Sequence, residues 1–241
     1  MRSSAVLTRL PVLIALLVAA PSAAQRAPSA QALLDVWASD WRRAARTVAS
    51  IEADERLTRS LDGRRGRLVI ETESDIRFDR AGGAVRDVRR LRVNGRQRDP
   101  ADRRVRDRFE RAFGPAGREI AAPPLLPGLA FADAEAVGIA ADRLGDTAAW
   151  RVSIRVGDRL DRMTAWFSQG AVPRLLRMRT EGDRPRGGRY ARTVAYDRIG
   201  GLDLAVSTET ETTIRQRRRL RSYAVVLTAS GAYGDFRIAR R

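Results

Sequence analysis

The sequence predicts an α+β fold that is mainly β. From Leu68 to Asp79 apolar or small residues alternate with charged ones, which is the period of a strand with one buried face. From Ser29 to Val48 the apolar residues recur every three or four positions, which is the period of an amphipathic helix. Short alternating segments then recur to the end of the chain, separated by Gly, Asn and Asp turn signals. We therefore expect an antiparallel sheet of about ten strands with two helices.

The first 24 residues have the pattern of a secretory signal peptide. Arg2 and Arg9 precede an apolar run, Pro11 to Ala20, which at about 10 residues is half the roughly 20 that span a bilayer. Small residues at Ser22 and Ala24 suit a signal peptidase. We expect cleavage after Ala24 and export of a single soluble domain, residues 25–241, which has no cysteine for a lipid anchor.

Composition argues against an enzyme. The chain has no histidine and no cysteine, so the commonest general base, nitrogen metal ligand and thiolate nucleophile are all missing. Carboxylate chemistry or oxygen-ligated Ca²⁺ or Mg²⁺ remains open, and Glu71, Glu73 and Asp75 share one strand face, as do Glu209 and Glu211. Alternation places both groups opposite apolar residues, so we interpret them as solvated faces. We assign no catalytic residue, no metal ligand and no cofactor.

The charge is strongly positive and comes from arginine alone. All 46 basic residues are Arg, and the formal net charge is +17. We expect no nucleic-acid partner, because the aromatic residues are not interleaved with Arg as a platform for stacking bases requires. An anionic membrane surface is one interpretation, and a solvated surface rich in Arg is the other. The densest cluster, Arg215 to Arg221, fits either a contact with lipid headgroups or the exposed end of a hairpin.

The elements follow in a simple order. Ser29 is a candidate N-cap for the first helix, and three strands follow, at about 50–60, 68–79 and 83–93, with turns at Asp62-Gly63 and Asn94-Gly95. Asp99-Pro100 opens a second helix that Gly114-Pro115 ends, and a Pro-rich loop occupies 114–128. Seven more strands are predicted at about 134–141, 150–156, 163–168, 174–180, 190–196, 202–214 and 223–228.

This order of elements resembles the periplasmic lipoprotein carriers LolA and LolB. Three stretches are similar to those of exported lipoprotein-sorting proteins: Asp87 to Gly95 with Asp99 to Phe113 after it, Ala149 to Val152 followed by Thr164 to Phe167, and Thr193 to Arg198 leading to Leu202. The resemblance implies a periplasmic protein whose curled antiparallel sheet forms an incomplete barrel, covered by two helices and the Pro-rich loop. It also implies an apolar cavity that binds acyl chains of lipid or an acylated protein, without chemistry.

Candidate ligand-binding residues are the large apolar side chains on the strands and the cover. They are Trp37, Trp41, Leu68, Ile70, Leu125, Leu126, Trp150, Val152, Ile154, Trp166 and Phe167. Ordinary core packing is the alternative for each of them, and Trp166 and Phe167 cannot both face inward on a regular strand. A rival hypothesis is an envelope sensor or scaffold that binds a protein partner through the same sheet. The sequence leaves the oligomeric state and the cargo open.

Overall fold

The computed structural model describes residues 28–63, 66–79, 84–102, 131, 134–156, 162–184, 188–218 and 221–241. This part of the chain forms one helix and eleven strands. The helix α1 is Ala30–Ala45, and the first strands are β1 Val48–Gly63, β2 Gly66–Asp79, β3 Ala84–Val93 and β4 Arg96–Arg98. The others are β5 Ala134–Leu144, β6 Thr147–Val156, β7 Arg162–Ser168, β8 Leu175–Arg184, β9 Gly188–Ile199, β10 Leu202–Arg218 and β11 Arg221–Arg240.

All eleven strands belong to one antiparallel sheet, in the order β4-β3-β2-β1-β11-β10-β9-β8-β7-β6-β5. Consecutive strands pair with each other, except that β4 and β5 lie at opposite edges of the sheet. The first strand, β1, also pairs with the last, β11. Among the described strands, β4 and β5 are the free edges, so the sheet is not closed. The fold class that the sequence predicts, a mainly β α+β protein with an unclosed antiparallel sheet, is confirmed.

Helix α1 packs one face onto this sheet. Its N-cap Ser29 accepts a hydrogen bond from the Ala32 amide at 3.1 Å, which satisfies one of the free amides of the first turn. Leu33, Leu34, Trp37 and Trp41 are its buried residues, and their spacing is that of a single helical face. No helix in the described ranges is long and apolar enough to span a membrane.

The main hydrophobic core lies between α1 and the sheet. It joins Ile51 of β1 and Ile76 of β2 to Val152 of β6 and Phe167 of β7, although these strands are far apart in the sheet order. A flat sheet could not bring them into one cluster, so the sheet curls around the helix. A second apolar cluster, separate from the first, contains Ile70, Leu91, Leu227 and Ala229.

All ten predicted strands are present, with one strand added and one longer than predicted. Strand β4 was not predicted, since three exposed residues after the Asn94-Gly95 turn carry no alternation. Strand β11 continues to Arg240, whereas the alternating pattern ends at Thr228, because Ala229 to Ala232 are too small to show an apolar period. Gly231 must be small here, since a Cβ at that position would lie 2.8 Å from Thr208 Cγ2.

The prediction of two helices is not met by the described residues, which contain one. The second predicted helix and the Pro-rich loop lie almost entirely in 103–130, outside the described residues. Its first residues are described and form a turn, in which the Ala101 amide donates to the Asp99 carboxylate at 2.9 Å and the Asp102 amide to the Asp99 carbonyl at 3.1 Å.

Candidate functional site

An open apolar groove lies where helix α1 meets the sheet. Its volume is about 220 Å³, and among the described residues that line it none is charged. The lining residues are Pro28, Ala32, Leu33 and Val36 from α1 and its approach, Trp150 from β6, and Gly170, Ala171 and Pro173 between β7 and β8. Val36 is 50 % exposed, although the four large apolar residues on the other face of the same helix are buried. The groove can therefore take an apolar ligand directly from solvent.

The groove lies over an aromatic part of the core. Trp37 is fully buried and contacts Phe131 and Phe167 edge to face, with ring centroids 5.0 Å and 5.6 Å apart. Leu33 and Trp150 belong to both the groove and this core. Edge-to-face packing of this kind stabilises an aromatic core, so the apolar surface of the groove continues into an aromatic part of the core.

A buried carboxylate fixes the helix to the sheet. Asp203 is fully buried and accepts hydrogen bonds from Trp37 Nε1 at 2.7 Å and from the Leu175 amide at 2.8 Å. Arg198 compensates its charge, donating from Nε at 2.9 Å, and also contacts Asp40 of α1 at 3.2 Å. Burial opposes the charge of Arg198, but its hydrogen bonds to Asp203 prevail and the pKa of the guanidinium is raised. We call these four residues, Trp37, Asp40, Arg198 and Asp203, the helix clamp.

A buried polar row crosses the inner face of the sheet at the border of the main core, to which its Tyr233 belongs. Ser74 of β2, Glu55 of β1 and Tyr233 of β11 occupy paired positions, and Thr208 of β10 pairs with the nearby Gly231. Glu55 is fully buried and accepts two hydrogen bonds from Arg86, from Nε and, at 2.8 Å, from a terminal nitrogen. The positive charge of Arg86 compensates the buried negative charge of Glu55. This charged pair separates the main core from the second apolar cluster.

The electrostatics of this row follow from its burial. Arg59 is 8 % exposed, and burial, followed by the charge of Arg86, lowers its pKa from 12.5 to about 10. Burial, followed by the negative charge of Glu55, raises the pKa of the Tyr233 hydroxyl. The Oγ atoms of Ser74 and Thr208 are buried without a hydrogen-bond partner in the described structure. The buried charges and unpaired hydroxyls of this row therefore reduce the stability of the fold. The apolar groove does not extend across the row.

The structure brings some of the predicted ligand-binding residues together. Trp37, Trp41, Val152, Ile154 and Phe167 are buried in the main core, with exposed fractions between 0 % and 7 %, and Trp150 lines the groove. The first five of these residues therefore occupy core positions in this structure.

Three other predicted residues lie elsewhere, and two are outside the described part of the chain. Leu68 and Ile70 belong to the second apolar cluster, beyond the polar row. Trp166 lies on the opposite face of β7 from Phe167, and its Nε1 donates to Asp142 Oδ2 at 2.9 Å. Leu125 and Leu126 lie outside the described residues.

Sequence reasoning missed the small residues of the groove and the buried charges. Ala32, Gly170 and Ala171 carry no apolar signal, because a groove requires small side chains rather than large ones. Glu55 and Arg59 could have been found, since they share the inward parity of Ile51 and Leu57 on β1. In the ranges that the structure describes, no group of three acidic residues could hold a metal ion.

Comparisons with known proteins give few matches. No family model matches the chain, and no curated protein matches it. A solved structure of an outer membrane lipoprotein-sorting protein domain from Vibrio parahaemolyticus is similar to it, with 9 % identity, a TM-score of 0.41, and coverage of 87 % of this chain and 93 % of the other. The kind of protein that the sequence resembles is therefore among the similar structures.

Two structures of MucB bound to MucA are more distant. The Pseudomonas aeruginosa MucA/MucB complex has 9 % identity and a TM-score of 0.18, covering 89 % of this chain and 100 % of that one. A second, MucB with MucA(peri), has 11 % identity and a TM-score of 0.17, covering 86 % and 100 %. At these identities and TM-scores, the similar structures support no argument about function. The functional argument therefore rests on the groove alone.

Proposed function

We propose that this protein is an exported, non-enzymatic carrier that binds an acyl chain of a lipid or an acylated protein in the groove. The observation that carries the proposal is the open, uncharged groove between α1 and the sheet, lined by Leu33, Val36 and Trp150. Each acyl CH₂ that enters such a site contributes about 0.8 kcal/mol, so a segment of a few carbons gives measurable binding without any polar contact.

The size of the groove limits what it holds. Its volume of about 220 Å³ is below the roughly 300–1,000 Å³ typical of sites for drug-sized ligands. The groove as it stands therefore accepts a segment of one chain, and its open side leaves the polar end of the ligand in solvent. This arrangement suits a carrier, because a partly enclosed chain is released more readily than a fully buried one.

Filling the groove tests the proposal. Ala32→Trp places a large ring at an exposed lining position of α1, and we expect it to weaken binding of a fluorescent fatty-acid probe at least tenfold. Ser39→Trp is the matched control, because Ser39 lies two turns further along the same helix face and does not line the groove. We expect this variant to bind the probe as the original protein does.

Equal binding by the original protein and Ala32→Trp, with an unchanged melting curve, would reject the groove as the acyl site.

Native mass spectrometry of the protein purified from its own host provides the second test. A bound lipid supports the carrier. A co-purified polypeptide without lipid favours the rival, a sensor or scaffold that binds a protein partner through the sheet, for which the free edge strand β5 offers unpaired backbone groups.

A further inference from the structure

The two edges of the described sheet differ in length and composition. Strand β4 has three residues, Arg96–Arg98, which are all exposed and include two arginines. Short, charged edges of this kind disfavour pairing with another chain. Strand β5 has eleven residues, Ala134–Leu144, and its middle, from Val137 to Ala141, carries no charge and no proline. The edge at β5 therefore lacks the protection that β4 has.

Backbone amides of β5 point away from β6 at two positions. The Ala136 amide donates to a side chain of α1 at 2.9 Å, and the Arg143 amide donates to the neighbouring Asp142 carboxylate at 2.8 Å. Residues of an antiparallel strand alternate between its two sides, so Ile139 and Ala141 present their amides and carbonyls on the same side as Arg143. Among the described side chains, none caps the amides of these two residues. The middle of the edge is therefore open to pairing.

This open part of β5 lies next to the groove. Ala141 is exposed and pairs with Trp150 of β6, which lines the groove. Strands of a sheet lie about 4.8 Å apart, so a strand added to β5 would run about 10 Å from Trp150. Its residues opposite Ile139 and Ala141 would face the same side of the sheet as the groove. A polypeptide on the edge and an acyl chain in the groove would therefore be neighbours.

The outer face of the same edge favours acidic residues. Arg151 of β6 pairs with Ala140, whose methyl side chain does not block the reach of Arg151 across β5. The Arg151 side chain is 52 % exposed and lies 3.9 Å from Asp142. Asp142 also accepts hydrogen bonds from Trp166 and from the Arg143 amide. An acidic residue of an added strand opposite Ala140 would therefore give Arg151 a second, complementary partner.

We propose that the β5 edge binds the polypeptide of an acylated protein as an added strand, while the acyl chain of that protein occupies the groove. The bound segment is extended and alternates apolar residues, which face Ile139 and Ala141, with acidic residues, which face Arg151. Backbone pairing supplies affinity, and the alternate side chains add specificity. The inference rests on the proposed carrier function and narrows its ligand from lipids in general to acylated proteins.

A palmitoylated peptide tests the edge. The probe is a short peptide of alternating Val and Glu with a palmitoyl group on its N-terminus, and the comparison is a fluorescent fatty acid. Ala141→Pro removes an amide that faces away from β6, a change that an edge strand tolerates. We expect this variant to bind the palmitoylated peptide about tenfold less tightly and the fatty acid as tightly as the original protein does.

The same test has a form that leaves the protein unchanged, which serves if Ala141→Pro does not melt cooperatively. The palmitoylated peptide is made with N-methyl groups on its backbone nitrogens, which removes its own donors. We expect it to bind the original protein about tenfold less tightly than the unmethylated peptide.

Reversing one charge tests the acidic side of the partner. Arg151→Glu should weaken binding of the Val-Glu peptide about fivefold and strengthen binding of a palmitoylated Val-Lys peptide. Arg177→Glu is the matched control, because Arg177 is exposed and pairs with Trp166, which in turn pairs with Arg151. It makes the same change in net charge two strands further from the edge, and should alter the binding of either peptide less than about twofold.

The failure of this proposal and the failure of the carrier function give different results. Equal binding of the methylated and unmethylated palmitoylated peptides would overturn the edge while leaving the groove as the acyl site. Equal binding of the peptide with and without its palmitoyl group would reject the groove, and with it the acylated partner. Equal effects of the two charge reversals would assign the acidic preference to net charge. A dimer in analytical ultracentrifugation that Ala141→Pro abolishes would assign the edge to a second copy of this chain.

Discussion

Single polar side chains determine where the tryptophans of this protein lie. Four Trp residues lie in or near the sheet and the helix, and alternation alone treats them alike. Trp37 donates to buried Asp203 and is fixed in the core, whereas Trp166 donates to Asp142 on the other face of the sheet. Trp41 is buried with no hydrogen-bond partner for its Nε1 in the described structure. A tryptophan in a β-rich sequence is therefore located by its hydrogen-bond acceptor as well as by its apolar ring.

The pair Trp166 and Asp142 gives a pH-dependent signal. The hydrogen bond from Trp166, followed by that from the Arg143 amide, lowers the pKa of Asp142 below its ordinary value of 3.8. Since the folded pKa is the lower one, the stabilisation is present above pH 3.8 and is lost as the pH falls through the folded value. We expect the indole N–H resonance of Trp166 to shift with a midpoint below pH 3.8 in nuclear magnetic resonance spectra.

Asp142→Ala should abolish that titration and leave the Trp37 resonance unchanged, because Trp37 donates to Asp203 instead. A Trp166 midpoint at or above 3.8 would show that the hydrogen bond is not retained in solution.

Helix α1 depends on the clamp as much as on its apolar face. The spacing of Leu33, Leu34, Trp37 and Trp41 predicts which side is buried. It does not predict which strands the helix contacts, because an apolar stripe fits any apolar surface. Asp203 and Arg198 fix that choice, since buried Asp203 accepts from Trp37 and partly buried Arg198 pairs with Asp40, both of α1.

The helix clamp predicts a large loss of stability at one carboxylate and a small one at the other. Asp203→Ala leaves Trp37 Nε1, the Leu175 amide and the Arg198 guanidinium without their buried acceptor, and we expect a cost of about 3–5 kcal/mol in urea unfolding. Asp40→Ala is the control: the Asp40 side chain is 31 % exposed, so its loss should cost less than about 1 kcal/mol. Similar costs for the two variants would contradict the role of Asp203.

At the scale of the whole molecule, apolar and polar regions occupy different parts of the curled sheet. The apolar groove lies beside α1 and the β7 to β8 connection. The buried polar row lies between the main core and the second apolar cluster, to which Leu68 and Ile70 of β2 belong. The groove and the second cluster are therefore separate apolar regions.

Export is the remaining whole-molecule prediction. The short apolar run before Ala24 predicts that the protein recovered from the cell envelope begins at Gln25 and fractionates as a soluble protein. N-terminal sequencing of the product made by the native host measures this directly, and changing Ala24 to Arg should block processing and serves as the control. A product that retains Met1 in the membrane fraction would reject export, and with it the periplasmic setting of the carrier.

The sequence by itself determined the local structure of this protein. Alternation and turn residues predict ten of the eleven described strands, and apolar spacing predicts α1 with its Ser29 cap, because these patterns depend on residues close together in the chain. Only the tertiary structure decided that β1 pairs with β11 and that small residues help to line the groove. Those features depend on register between segments distant in sequence, and a pattern of near neighbours carries no information about which distant strand completes a surface.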